Sequence, residues 1–406
     1  MIYSLFLFKR TVEDILMFPL ILLGRLIAIL KPLGKEYETF FFFPFYHVGG
    51  AEKVHAHIAK ATGNVNCIIY FTRKSQNDLF YSEFAASGCT MKDISKYTDN
   101  KWLYFVNIIF RGIISQYINQ QKKQPIIFNG QCNFGYKISP WIKKRISQIE
   151  LIHSLCSFSY IRIPFLPFIH QTVMISTIRI QEHLDLYKRF HIPLRFGKRI
   201  QFIMNGIELP PTKPERLYLS GPLKVLYVGR STTEKRVHLI AQMAKLIKEK
   251  GSDMQFLFLG EVKDAIPIEL HSYCTFLGNQ SDPKVINSTY QQAHILILTS
   301  DTEGFPMVVM EAMANGLAVV STAVGEIPLH VKDKVNGFLI EEYNNPEIVI
   351  DKSVEFIGQL NTDLQLLNAI STNNIEYAYS HFGIDRFAKE YQDLFHKVRT
   401  SSTLAS

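Results

Sequence analysis

"HILILTSDTEGFPMVVMEAMANGLAVVST", residues 294–322, decides the fold class. Residues 294–300 and 317–322 are short apolar, β-prone runs; between them lie a polar loop, 301–305, and a stretch of helical character, 306–315. Pro306 suits the first helical turn and Gly316 the C-cap. Two apolar strands joined through a helix lie parallel, and runs that are apolar throughout rather than alternating belong to strands covered on both faces.

The same rhythm extends in both directions. "GFLI" (337–340) follows, and "LKVLYVG" (223–229), "MQFLFLG" (254–260) and "CTFLG" (274–278) precede. Further upstream come "TFFFFPF" (39–45), "NCIIYFT" (66–72), "PIIFNG" (125–130), "IELIHS" (149–154), "TVMIS" (172–176) and "IQFIMNG" (200–206). Between the two sets, "NGIELPPTKPERLYLSGP" (205–222) carries Pro210, Pro211, Pro214 and Pro222, which are excluded from helix interiors and central strands. The expected architecture is α/β with two doubly wound, Rossmann-like domains facing a cleft between the carboxyl ends of their strands, where open sheets bind ligands. Its divisions are an apolar helix in 1–34, a first domain in 35–208, a linker in 209–222, a second domain in 223–380, and a C-terminal helix and tail in 381–406. That last helix has a stripe of Phe387, Tyr391, Leu394 and Phe395 and is expected to pack back on the first domain.

A chain of 406 residues with 47% hydrophobic and 20% charged residues is long enough for two cores and too apolar to be disordered. Cys67, Cys89, Cys132, Cys156 and Cys274 are dispersed, with no paired spacing for zinc, as buried thiols in a reducing compartment would be. Residues 1–208 carry 26 Lys and Arg against 13 Asp and Glu, while 209–406 carry 18 against 23, so +13 stands against −5. The basic half suits an anionic partner: a membrane surface, a phosphate-bearing substrate or nucleic acid. Near the start, "ILMFPLILLGRLIAIL" (15–30) is apolar but holds Pro19, Gly24 and Arg25 and is flanked by Lys9, Arg10, Lys31 and Lys35. It is short for a spanning helix, and no small-residue cleavage site follows it. The favoured reading is a helix lying in an anionic membrane interface with its basic residues snorkelling to headgroups; the rivals are a helix packed on the first domain and a spanning anchor.

The opening stretch also carries chemistry. Glu303 sits in the loop leaving the strand, and Glu311 one to two turns into the helix. The helix start offers N–H groups around Gly304, Phe305 and Met307 to an anion, yet the side chains beside it are acids. Buried carboxylates need hydrogen-bond donors, and sugar hydroxyls supply them. A molecule with phosphate in its middle and polyols on either side, a nucleotide sugar, meets both demands. Cations for the phosphate can come from "VGRSTTEKRVHLI" (228–240), where Gly229 permits a tight turn and Arg230 and Lys235 can reach a diphosphate. Alone, these two would be an ordinary solvated helix start.

Taken together, the motifs resemble the retaining GT-B glycosyltransferases of family four. The matching elements come in order: "GGAEKV" (49–54), "NGI" (205–207), "VGR" with "EK" (228–235), "LG" (277–278), "EGFPMVVME" (303–311), "STAVGEIPLHV" (321–331) and "NGFL" (336–339). The resemblance implies that Arg230 and Lys235 hold the donor diphosphate and the charge of the departing nucleotide. Glu303 would approach the transferred sugar, and Glu311 the ribose hydroxyls. Backbone at Gly304, Phe305, Pro306 and Met307 would contact sugar and phosphate, and the loop at Leu277 and Gly278 would flank the base. Gly49 and Gly50 would allow close approach of phosphate or acceptor, and His153 would hydrogen-bond the donor sugar. No divalent metal or other cofactor is implied, and no D-x-D motif is present. One departure is Gly325 to Leu329, G-E-I-P-L, where the family often has G-G-x-P-E.

The expected activity is transfer of a hexosyl group, with retention, from a nucleotide-sugar donor to a glycan or lipid-linked acceptor. The setting would be bacterial cell-surface polysaccharide or lipopolysaccharide synthesis, in the cytoplasm, peripheral on the inner face of the cytoplasmic membrane. A sugar-nucleotide epimerase or hydrolase on the same architecture would carry further catalytic acids and histidines. A non-catalytic binding subunit would not keep Arg230, Lys235, Glu303 and Glu311. A nucleic-acid binder leaves the paired acids unexplained.

Overall fold

Strand β1, Thr39–Phe43, is buried at every position, as a run of four phenylalanines requires. Around it β2 (Cys67–Phe71), β3 (Thr90–Asp93), β4 (Ile126–Gly130), β5 (Gln148–Ile152), β6 (Gln171–Met174) and β7 (Ile200–Phe202) form a seven-stranded parallel sheet, ordered β3-β2-β1-β4-β5-β6-β7. A second, six-stranded parallel sheet contains β8 (Lys224–Val228), β9 (Gln255–Leu259), β10 (Cys274–Gly278), β11 (Ile295–Leu298), β12 (Ala318–Thr322) and β13 (Gly337–Ile340), ordered β10-β9-β8-β11-β12-β13. The computed structural model describes residues 2–153, 157–218, 221–280 and 282–403. Cys156, two residues of the proline-rich stretch and the tail beyond 403 therefore lie outside the described residues; Cys67, Cys89, Cys132 and Cys274 are free thiols.

The helices that matter here are α1 (Ile2–Leu30), α2 (Gly50–Thr62), α3 (Tyr104–Asn119), α4 (Val237–Glu249), α5 (Met307–Ala314) and α6 (Ile384–Thr403). The chain divides into two compact units, one of residues up to 204 together with those from 387 on, the other Asn205–Arg386. Phe387, Tyr391, Leu394 and Phe395 of α6 are buried in the first unit, where Phe395 and Tyr391 lie 5.8 and 6.2 Å from the Phe128 ring of β4. The proline-rich stretch is not a loose tether between units. It is held on the second unit: Arg216 Nη1 donates to Ala293 O at 2.8 Å, Tyr218 N to Asn368 Oδ1 at 2.8 Å, and Tyr379 Oη to Pro210 O at 2.6 Å. Proline bars regular structure but not packing, and a guanidinium can satisfy the carbonyls it meets.

Within the first unit, Glu150 of β5 and Arg162 form an ion pair at 2.5 Å with both side chains fully buried, and Thr172 Oγ1 donates to the same carboxylate at 2.6 Å. Burial pushes the Glu150 carboxyl up, but Arg162 and the hydrogen bonds outweigh it and hold it below its usual range.

Helix α1 buries Tyr3, Ile21, Gly24 and Ala28 yet leaves a second apolar face uncovered. Leu5, Phe8, Val12, Ile15, Leu16, Leu22, Leu23, Leu26, Ile29 and Leu30 form an exposed stripe at helical spacing, with Leu16 75% and Leu30 81% exposed. Several of its charged residues turn inward, Lys9 remaining exposed: Arg10 Nη1 donates to Pro164 O at 2.8 Å, Arg25 Nη2 to Trp141 O at 3.0 Å, and Glu13 pairs with Lys137 at 3.1 Å. The expectation that Arg10 reaches outward to headgroups is thereby corrected, its guanidinium capping a protein carbonyl instead; Arg25 is likewise tied to a carbonyl, at the flank of the helix. Glycines set the depth of docking, since a side-chain carbon on Gly24 would strike Ile109 O and one on Gly112 would strike Ile21 O. No described helix is long and apolar enough to cross a membrane.

Candidate active site

In the second sheet β8 lies between β9 and β11, so the connections leaving it run in opposite directions and a crevice opens at the carboxyl ends of β8 and β11. The loop after β8 carries Arg230 and Lys235, and the loop after β11 carries Ser300 and Glu303. Lys235 Nζ lies 2.5 Å from Glu303 Oε1, and Ser300 Oγ donates to the same oxygen at 2.7 Å. The two acids of the opening stretch therefore do not lack a cation: one is delivered to Glu303 from a distant loop. Arg230 is exposed, and its carbonyl accepts from Tyr227 Oη at 2.7 Å. Burial raises the Tyr227 phenol well above its usual range, the Glu303 carboxylate adding to the rise, so this donor stays protonated.

Backbone ties join the two loops. Arg236, in a left-handed conformation with φ 49°, donates from Nε to Thr299 O at 2.6 Å, from Nη2 to Ser300 O at 3.2 Å and from Nη1 to Tyr343 O at 2.7 Å. Thr299 Oγ1 returns a hydroxyl shared between Lys235 O at 2.9 Å and Arg236 O at 3.1 Å. The Asp301 N–H donates to Glu234 O at 3.0 Å.

The Glu303 loop is buttressed from a third side by the departing motif. Gly325, at φ 57°, approaches the Glu303 and Gly304 carbonyls so closely that a side-chain carbon would collide with both. The Glu326 N–H donates to Gly304 O at 2.8 Å, and its carboxylate is buried at the start of a short helix, Ile327–His330. The loop is therefore tied to the Glu303 loop through its backbone, and its acid is buried rather than presented as a second exposed charge.

Helix α5 starts at Met307, with Pro306 extended at its N-cap and Gly316 left-handed just past its end. Phe305 and Met307 are buried, the Phe305 ring stacking 4.1 Å from His330, so at 304–307 only the backbone is offered to a ligand. Pro306 lacks an N–H, which leaves Gly304, Phe305 and Met307 as the donors. Glu311 is half-buried and accepts from Tyr290 Oη at 2.8 Å. Leu277 and Gly278 close β10, where Gly278 O accepts from the Gly260 N–H at 2.8 Å and Leu277 O from Gln280 Nε2 at 3.0 Å.

The first sheet repeats the topology, with β1 between β2 and β4. Gly49 caps α2 and Gly50 begins it; a side-chain carbon on Gly49 would run into the Glu52 carboxylate, which folds back on the helix start. His153, next after β5, donates its backbone N–H to Gln131 Oε1 at 3.0 Å. Its Nε2 lies 2.9 Å from His55 Nε2 of α2, and His55 stacks on Phe43 with centroids 4.6 Å apart. Burial lowers His153 to about 4 and His55 well below its ordinary value, so both imidazoles are neutral near pH 7 and share one proton between them.

Lys235, Ser300 and Glu303 thus meet directly, Glu311 pairs with Tyr290, and Gly49, Gly50 and His153 belong to the first unit. Sequence reasoning missed Ser300, Arg236, Tyr290 and His55. Only Ser300 had a signal, a hydroxyl at a strand end three residues before the acid; the others are brought in by chain folding. Among the described residues, no three of His, Cys, Asp and Glu come together as a metal cage.

Two parallel, doubly wound sheets in one chain, each with polar residues gathered at its switch point, define the GT-B class of α/β proteins. Solved structures share it: Anabaena HepE in complex with UDP gives a TM-score of 0.68 over 89% of this chain and 100% of that one at 15% identity. Sucrose-phosphate synthase from Thermosynechococcus elongatus gives 0.66 over 90% and 100% at 17% identity. At such identities the likeness is one of fold. The family model for glycosyl transferases group 1 matches residues 212–371, inside the second unit. The chain carries a glycosyl transferases group 1 domain of the GT-B, family four type. Its relatives include the capsular polysaccharide biosynthesis glycosyltransferase CapM of Staphylococcus aureus, 24% identical over 75% of this chain and 82% of CapM. The amylovoran biosynthesis glycosyltransferase AmsK of Erwinia amylovora is 30% identical over 30% of this chain and 33% of AmsK. Spore coat protein SA of Bacillus subtilis is 27% identical over 45% of this chain. The chain spans about half the length of spore coat protein SA and a third of AmsK in these matches.

Proposed function

We propose that the protein is a hexosyltransferase, moving a sugar with retention from a nucleotide-sugar donor to a glycan or lipid-linked acceptor in bacterial cell-surface polysaccharide or lipopolysaccharide synthesis. The observation that carries this reading is the pairing of Lys235 with Glu303 at the switch point of the sheet inside the group 1 domain. In the proposal Lys235 and Arg230 bind the donor diphosphate and stabilise the negative charge that grows on it as the sugar departs. Glu303 faces the transferred sugar where positive charge develops, its resting contact with Lys235 giving way to sugar hydroxyls. Glu311 accepts from the ribose, the Gly304, Phe305 and Met307 N–H groups serve sugar and phosphate, and the turn at Leu277 and Gly278 flanks the base. In the first unit, His153 donates to the sugar and Gly49 and Gly50 leave space for phosphate or acceptor. The protein's own cations supply the charge this reading needs, with no divalent metal.

The same proposal places the protein on the inner face of the cytoplasmic membrane through α1. A stripe of exposed leucine, isoleucine, phenylalanine and valine over most of a 29-residue helix is costly in water and suits an acyl-chain boundary.

Thermal melts of the full chain with UDP-, GDP-, ADP- and CMP-sugars test the donor. One nucleotide class should raise Tm, because a ligand that binds only the folded state stabilises it. HepE was solved with UDP, which makes uridine the first base to try. No shift with any of them, at concentrations to saturation, would overturn the reading.

A further inference from the structure

We infer that the basic pocket beside α1 is a site for the phosphate-bearing headgroup of an anionic lipid, an assignment that rests on the membrane reading of α1 and adds a ligand to it. The pocket has a volume of about 690 Å³ and is lined by Arg25, Lys122, Lys143, Lys144 and Arg145, with no carboxylate in its lining. That size falls within the roughly 300–1,000 Å³ of small-molecule sites.

Its position relative to the stripe supports the choice of ligand. Arg25 sits on the flank of α1 beside the exposed apolar row, and its guanidinium lies 5.8 Å from the Trp141 ring. Trp141 in turn lies 6.4 Å from Phe18, an exposed residue of α1 at the edge of the stripe. Along this edge of α1 the exposed apolar row therefore adjoins an aromatic ring and a group of cations. A lipid brings an acyl chain, an interfacial region and a phosphate together in the same way, and tryptophan favours the interfacial level. Two cations are pre-positioned, Arg25 by Trp141 O and Lys143 by Nζ to Asn119 O at 2.9 Å, while Lys122, Lys144 and Arg145 are exposed and can close on a phosphodiester. Free phosphate would explain the cations, but not their junction with an uncovered apolar stripe.

Flotation of the full chain with phosphatidylcholine vesicles, with and without phosphatidylglycerol, tests this. The wild type should prefer the anionic vesicles. Combining Lys122→Ala, Lys144→Ala and Arg145→Ala should weaken anionic-vesicle binding on the order of ten- to a hundredfold, toward the level on neutral vesicles. Lys74→Ala, Lys92→Ala and Lys96→Ala together remove the same charge from exposed positions outside the pocket and should leave the preference within about twofold. Leu16→Asp with Leu23→Asp should abolish flotation on both vesicle types. An undiminished preference in the pocket variant, or an equal loss in the control, would overturn the pocket assignment while leaving α1 as the anchor. Failure of the wild type to float at all overturns both. Inorganic phosphate at matched ionic strength should not release the protein; release would make the pocket a free-phosphate site and reject the headgroup.

Discussion

The two sheets put their candidate site residues at the same topological place, the crevice where neighbouring connections diverge, yet fill it with opposite chemistry. At β8 and β11 the residues are charged, Lys235 against Glu303, half-buried and reachable. Around β1, β4 and β5 they are neutral: the buried His55, stacked on Phe43, and the half-buried His153 share a proton, and desolvation keeps both from charging. Topology fixes where a site can form, whereas burial decides whether it handles charge or only hydrogen bonds. In the proposed reaction this divides the work, the second unit taking the diphosphate and the first offering an uncharged donor to sugar.

The comparison breaks most visibly at Glu303. Glu303→Gln should lower turnover by about two to three orders of magnitude. Nucleotide affinity by calorimetry should hold or tighten, because Lys235 is released; a loss of affinity matching the loss of turnover would remove Glu303 from the transition state. Next is the contrast between ion pairs. Glu150→Ala leaves Arg162 buried without its carboxylate and should cost about 3–5 kcal/mol in urea unfolding, against about 1 kcal/mol or less for Lys235→Ala at the open site. Equal costs would mean that the open pair is structural. Lys235→Ala should instead weaken nucleoside diphosphate binding roughly tenfold, and unchanged affinity would contradict its role.

A last contrast is in pH. His55 and His153 have values below the unfolded 6.5, so the native state binds fewer protons; their stability is intact above pH 6.5 and declines as pH falls toward about 4. The decline is at most about 1.4 kcal/mol per pH unit for each group. His183, His294 and His330, each lowered to about 4 mainly by burial, add to it. Urea midpoints should fall between pH 7 and 5, and His55→Phe should shallow the slope; a flat wild-type profile would mean that these imidazoles can charge in place.

Twelve of the thirteen described strands coincide with apolar runs that stand out in the sequence; most are covered on both faces and must be apolar throughout, while the edge strands β7 and β10 keep an apolar run without a buried residue. The exception is β3, "TMKD", an edge strand with no buried residue, whose pairing to β2 leaves no hydrophobic trace. Prolines marked a break in regular structure after residue 208, but the chain divides after Met204, since a segment without helix or strand can still be held through Arg216. Glu303 and Lys235 were legible as acid and cation; their contact was not, because nothing local encodes a bond across 68 positions. His55 was invisible as a partner for the same reason. The orientation of α1 could not be read either, since its arginines find carbonyls that only the folded body supplies.

Arg236 gives that contact a further meaning. One guanidinium holds the carbonyls of Thr299, Ser300 and Tyr343, while the backbone beside it carries Lys235. The separation of acid and cation is therefore a property of the scaffold, not of their attraction. Erase either charge and the backbone that carries the other stays where it was, so the site behaves as a jig whose tolerances outlast the parts it holds.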